Sequence, residues 1–138
     1  AYRKLLDALI MQLDIGRSVT FHGFQENPFK YMEAADVFVL SSVHEGLPNV
    51  MLEAMYLGKP VVVTRSIPYI AQVVHDGVNG YAVSVDGCKE LAEAMIKARR
   101  LEIKEKYMDV NSSEKRIIDL FTEVLEASRK KRFTNIET

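Results

Sequence analysis

The sequence predicts an α/β fold: a Rossmann-like, doubly wound parallel sheet with helices on both faces. Three observations predict it. Val61-Val62-Val63-Thr64 is an unbroken β-branched run, which fits a strand buried on both faces, as in a parallel sheet covered by helices. Strand-like runs of this kind alternate four times with segments of helical spacing, joined by short connections. Turn chemistry punctuates the joints, most densely at Gly58-Lys59-Pro60 and at Asp76-Gly77-Val78-Asn79-Gly80.

Taken in order, residues 2–13 carry Leu5, Leu6, Leu9, Ile10 and Leu13 at helical spacing, with Gly16 as a stop. Residues 18–24 alternate and are rich in β-branched and aromatic side chains, so a strand is expected there. Gly23 lets the backbone turn or approach a ligand, and His22 reads as a core or strand-end histidine rather than a catalyst. Asn27 offers a cap for a helix from Pro28 that carries Phe29, Tyr31, Met32 and Ala35. Residues 37–40 form the next apolar strand, and Pro48 opens a helix that runs to Leu57. After the valine strand, a short helix over 69–74 turns Ile70, Val73 and Val74 inward, and residues 81–83 make a further strand. Asp86-Gly87 leads to a helix with Leu91, Ala94, Met95 and Ala98 facing the core. From residue 99 the chain reads as helical and charged. Asn111-Ser112-Ser113-Glu114 offers a cap and an acidic first turn for a helix to about Arg132, whose apolar face is Ile117, Ile118, Leu120, Phe121, Val124 and Leu125. The basic run Arg129–Arg132 reads as a solvated last turn that complements the helix dipole.

With 138 residues, 48% of them apolar, the chain suffices for one domain with a real core, and no linker or repeat divides it. Residues 1–138 are therefore expected to be a single unit, with 100–138 as C-terminal helices. A formal charge of −1 offers no global field for nucleic acid. The lone Cys88 forms no internal disulfide, and His22, His44 and His75 are too scattered for a metal cluster. No stretch has the length of a membrane span. A reducing, cytoplasmic setting is the expectation, with room for peripheral attachment of a longer parent to the inner face of the membrane. Because the chain opens inside a helix and lacks an initiator Met, it is expected to be a fragment.

The segment with most chemistry is His44 to Met55, a loop running into a helix at the carboxyl end of the strand over 37–40. In doubly wound sheets ligands sit at such ends, where strand order reverses. Pro48 suits the first helical position, leaving Leu47 as the cap. Leucine has no side-chain oxygen for the free amides of the first turn, so an anion is the natural partner. Glu45 lies in the loop. Glu53 lies in the second helical turn, about 7.5 Å of rise past Pro48, and can lean back toward the same mouth. Spacing alone leaves Glu53 equally readable as part of a solvated stripe with Asn49 and Tyr56, and Glu45 as an exposed loop residue.

The run Glu45-Gly46-Leu47-Pro48-Asn49-Val50-Met51-Leu52-Glu53-Ala54-Met55 resembles the Glu-x7-Glu motif of retaining, sugar-nucleotide-dependent glycosyltransferases of the two-Rossmann-domain (GT-B) architecture. The likeness extends from Phe21-His22-Gly23-Phe24 through residues 34–41, Gly58–Thr64 and Asp76–Gly80 to the helix around Leu91. It is similar to the C-terminal, donor-binding domain of glycosyltransferase family 4 (group 1).

The resemblance implies that Glu45 lies against the donor sugar and that Glu53 accepts hydrogen bonds from the ribose hydroxyls. It also implies that backbone amides of Gly46, Leu47, Asn49 and Val50 meet the sugar and diphosphate, and that Gly23 and Phe24 border the nucleobase. A carboxylate suits hydroxyl donors that must be held in one orientation. The implied reaction moves a hexosyl group from a nucleoside diphosphate sugar to an acceptor hydroxyl with retention, with no metal and no other cofactor; fixed N–H dipoles would stabilise the departing diphosphate. A UDP-linked donor and a role in bacterial surface polysaccharide synthesis are the weaker pointers. The family's Arg and Lys pair and its acceptor-binding N-terminal domain lie outside these residues, so the isolated chain is expected to be inactive. Two rivals stand beside this reading. A non-catalytic nucleotide-binding or regulatory module would keep the same fold. An α-glucan phosphorylase would need a Schiff-base lysine near the sheet mouth, and Lys59, the only lysine near the motif, sits at the far end of the helix.

Overall fold

Val61, Val62 and Val63 set the middle of the molecule. A computed structural model describes residues 2–46, 48–66, 68 and 70–103, and within them β2 (Val61–Thr64) is buried along its whole length. Each fully buried valine contributes about 1.5–3 kcal/mol relative to an exposed one. β1 (Phe38–Leu40) and β3 (Gly80–Val83) flank β2, both parallel to it, in the order β1-β2-β3. Phe38 and Gly80 both lie opposite Val61, so the carboxyl ends of the strands share one edge.

Helices cover both faces, as a parallel sheet requires. Alternation along β2 sends Val61 and Val63 to one face, where they pack with Met51, Ala54 and Met55 of α3 (Asn49–Tyr56) and Ile70 of α4 (Ile70–Val73). Val62 points the other way. It packs with Val83 and with Ala94 and Ala98 of α5 (Cys88–Ala98).

The approach to β3 is fastened by two side chains. Asn79 is buried, donates from Nδ2 to the Val73 carbonyl (2.9 Å), and accepts the His75 amide at Oδ1 (2.7 Å). Asp76 accepts the Ala82 amide at 2.8 Å, and its other oxygen lies 3.7 Å from Arg65. Gly80 is obligatory here, because a Cβ would stand 2.0 Å from the Val61 carbonyl oxygen.

The strands over 37–40, 61–64 and 81–83 and the helix after Gly87 lie where the sequence puts them, to within a residue or so. Asn27 does accept the Phe29 amide at 3.2 Å, at the start of α2 (Phe29–Ala34). Several expectations are corrected. Residues 18–24 form no strand: among the described residues no neighbour pairs with them, and their alternation expresses propensity without a ladder. His22 is accordingly exposed and rests its ring on Tyr31, with centroids 4.3 Å apart, instead of entering a core. The described sheet is a small parallel one with its three strands in chain order, consistent with a Rossmann-like α/β fold. α1 (Tyr2–Gln12) forms, yet none of its residues is buried, and Leu5, Leu6 and Leu9 face solvent. Met95 is 40% exposed, since Ala94 and Ala98 already fill the contact with Val62. α5 ends at Ala98 and residues 101–103 are not helical. The helix expected to Arg132 and the basic run lie outside the described residues. No helix among the described residues is long and apolar enough to cross a membrane.

Candidate functional site

At the shared carboxyl edge of the strands, β1 ends at Leu40 and the chain enters the loop that precedes α3. The loop is held from beneath. Thr64, the last residue of β2 and only 3% exposed, donates its hydroxyl to the Ser42 carbonyl at 2.5 Å. Ser42 in turn donates its own hydroxyl to Glu45 Oε1 at 2.5 Å. A hydrogen bond to an ionised acceptor is among the stronger kinds and fixes the direction of the carboxylate. Glu45 is half-buried, so it is neither a core residue nor a fully solvated loop glutamate.

α3 begins differently from expectation but to the same effect. Pro48 is the cap residue, with ψ at 82°, and not the first helical residue; its carbonyl accepts the Met51 amide at 2.9 Å. No side chain caps the helix. Proline offers no hydroxyl or carboxylate, so the cap residue itself gives the amides of the first turn no side-chain acceptor, which keeps this end suited to an anion. Leu47 lies outside the described residues.

Glu53 sits one turn beyond Asn49 on the same face, away from the buried face of Met51, Ala54 and Met55. It is half-buried. Gly46 is exposed in the loop, while Val50 is half-buried and Asn49 exposed at the helix entrance. The structure therefore gathers Glu45, Gly46, Asn49, Val50 and Glu53 on one loop and the helix it feeds. Gly23 and Phe24 belong to a different segment. Gly23 adopts a left-handed φ of 64°, as its role in a turn requires, and Phe24 is 92% exposed beside α2, not at the end of a strand.

Two groups that sequence reasoning passed over belong to this edge. Ser42 and Thr64 form the support of Glu45, and their only sequence signal was a hydroxyl where each strand run ends. Lys59 lies at the opposite edge of the sheet, where its ammonium donates to the Glu33 carbonyl at 2.7 Å. Past β3, Glu90 accepts the Ser84 amide at 3.0 Å. That bond, the Ser84 hydroxyl and the nearby Arg65 charge hold its carboxyl below the ordinary range.

Residues 2–100 match the family model described as glycosyl transferases group 1. The chain belongs to this family. Among curated relatives of this group 1 glycosyltransferase chain, a lipopolysaccharide core biosynthesis glycosyltransferase of Rhizobium meliloti is 39% identical over 67% of the chain and 27% of the relative. A Campylobacter jejuni N-acetylgalactosaminyltransferase, named for a diphospho-undecaprenol-linked acceptor, is 35% identical over 57% of the chain and 22% of its own length. A Vi polysaccharide biosynthesis protein of Salmonella typhi is 32% identical over 62% of the chain and 16% of its own length. The chain thus spans about a quarter of the curated relatives it matches, or less.

Proposed function

We propose that this group 1 glycosyltransferase chain is the donor-binding, C-terminal half of a GT-B enzyme that transfers a hexosyl group from a nucleoside diphosphate sugar, with retention, to an acceptor hydroxyl. The observation that carries the reading is the placement of Glu45. A half-buried carboxylate fixed by Ser42 stands beside an uncapped helix N-terminus, so an acceptor for sugar hydroxyls adjoins amides for a diphosphate. In the reaction, the bond from the anomeric carbon to the diphosphate breaks and the acceptor oxygen bonds to that carbon on the same face, its proton leaving toward the released diphosphate. Helix amides would stabilise the charge that develops there. Glu45 positions the sugar and Glu53 holds the ribose, and the reading uses no metal or other cofactor. Leu47 completes the amide set, and Gly23 and Phe24 border the base.

A UDP-linked hexose or N-acetylhexosamine is the favoured donor. The relatives named for lipopolysaccharide core and Vi polysaccharide biosynthesis favour a surface glycan as product. The acceptor-binding half lies in a longer parent protein that works in the cytoplasm or at the inner face of the membrane. Calorimetric titration of the chain with UDP, GDP and ADP tests the reading. Weak binding of UDP above the other two, abolished by Glu53→Ala, is the expected result. Absence of binding to all three, both here and in the full-length protein, would favour an inert scaffold.

A further inference from the structure

The support beneath Glu45 has a direction. β1 and β2 are paired through Leu40 and Val63, and one residue later the ladder stops. At that point Thr64 takes over with its side chain, donating to the Ser42 carbonyl and lying 3.5 Å from that of Leu40. Ser42 then occupies one carboxylate oxygen of Glu45, Oε1, and leaves Oε2 for a substrate hydroxyl. A valine at position 64 would extend the valine run and fill nearly the same volume, but it could not reach the loop. We infer that Thr64 and Ser42 are positioning residues for Glu45, joining the buried central strand to the sugar-facing carboxylate through two hydroxyl groups. The inference rests on the role given to Glu45 above. A carboxylate held this way is preorganised, so the loss appears in turnover and not in donor capture.

The test uses the full-length protein with UDP-glucose, UDP-N-acetylglucosamine and GDP-mannose supplied in turn, reading release of the nucleoside diphosphate. Ser42→Ala and Thr64→Val are expected to lower kcat about 10- to 100-fold while the donor KM changes less than about twofold. Thr64→Ser, which keeps the hydroxyl, should recover turnover to within about threefold of the wild type. Ser42→Ala placed on Glu45→Ala should cost nothing further, because the two act as one unit. Wild-type kcat in Ser42→Ala and Thr64→Val, with Glu45→Ala impaired, overturns the inference and leaves the role of Glu45 standing. So does an equal loss in Thr64→Ser and Thr64→Val. Unimpaired Glu45→Ala removes the reading beneath it. Should Thr64→Val not fold, Ser42→Ala and Thr64→Ser decide the matter, since neither adds volume to the core.

Discussion

The hydroxyl of Thr64 bonds to the backbone carbonyl of Ser42, so a side chain ties the loop after β1 to a residue 22 positions further along the chain. The position of Glu45 is consequently set by the buried centre of the sheet as well as by its own loop. This divides the molecule's residues into those that hold the edge and those that would meet a substrate, and the two groups have different expected phenotypes.

Glu45→Ala and Glu53→Ala in the full-length protein should separate by kinetic parameter. Loss of a group that acts on the sugar in the transition state should lower kcat about 100-fold. Loss of a ribose acceptor should raise the donor KM about tenfold, corresponding to about 1.4 kcal/mol of binding. Steady-state kinetics at varied donor concentration checks both, and identical kcat/KM in both variants would contradict the assignment.

Gly80→Ala should be strongly destabilising. The added methyl would overlap the Val61 carbonyl oxygen, a backbone atom of the central strand that has nowhere to move. A cost of about 3 kcal/mol is expected, at the upper end for overpacking. Urea unfolding followed by circular dichroism measures it, and an unchanged midpoint would be inconsistent with the register of β2 and β3.

Asn79→Ala should cost about 2–3 kcal/mol, because the His75 amide and the Val73 carbonyl both lose their partner in a buried place. Asn79→Asp separates the two bonds. It keeps an acceptor for His75 but sets a second oxygen against the Val73 carbonyl, so it should be no more stable than alanine near neutral pH.

Glu90 supplies a pH signature. Its folded-state pKa lies below the ordinary 4.5 because the Ser84 amide, the Ser84 hydroxyl and Arg65 favour the ionised form. A depressed carboxyl pKa adds stability that is fully present above the ordinary value and is lost as pH falls through the folded one. Stability measured from about pH 5 down to pH 3 should therefore fall less steeply in Glu90→Gln than in the wild type. An NMR titration midpoint for Glu90 at or above the ordinary value would contradict the geometry at Ser84.

Phe24→Ala should leave stability within about 0.5 kcal/mol of the wild type, since the ring is almost wholly exposed. Any fall in UDP affinity in that variant would then report on base contact alone, and unchanged affinity would remove Phe24 from the site.

The parts of the fold legible in the sequence were those where local pattern and tertiary demand coincide. Val61–Thr64 could only be a strand buried on both faces, and the glycine-rich turn before Gly80 carried its own chemistry. Residues 18–24 were misread because alternation requires a partner strand to become structure. In the described residues Phe21 instead lies beneath the Arg3 guanidinium, 3.7 Å from its ring centre. At the site, the sequence placed Glu45 in the loop and Glu53 in the helix after it, where they lie, but spacing alone did not single them out, and their roles came from the family resemblance. The support by Ser42 and Thr64 was not legible, because a parallel crossover brings together hydroxyls that share no local pattern.

The order β1-β2-β3 also has a consequence for how the chain acquires its shape. Each strand docks against the one made just before it, after a crossover of about two dozen residues or fewer. No strand has to be inserted between two that are already paired. Closing short loops in succession costs less entropy at each step than one long closure would. A chain leaving the ribosome can therefore build this sheet in the direction of synthesis, with the Thr64 hydroxyl closing on Ser42 once β2 has emerged and before β3 exists.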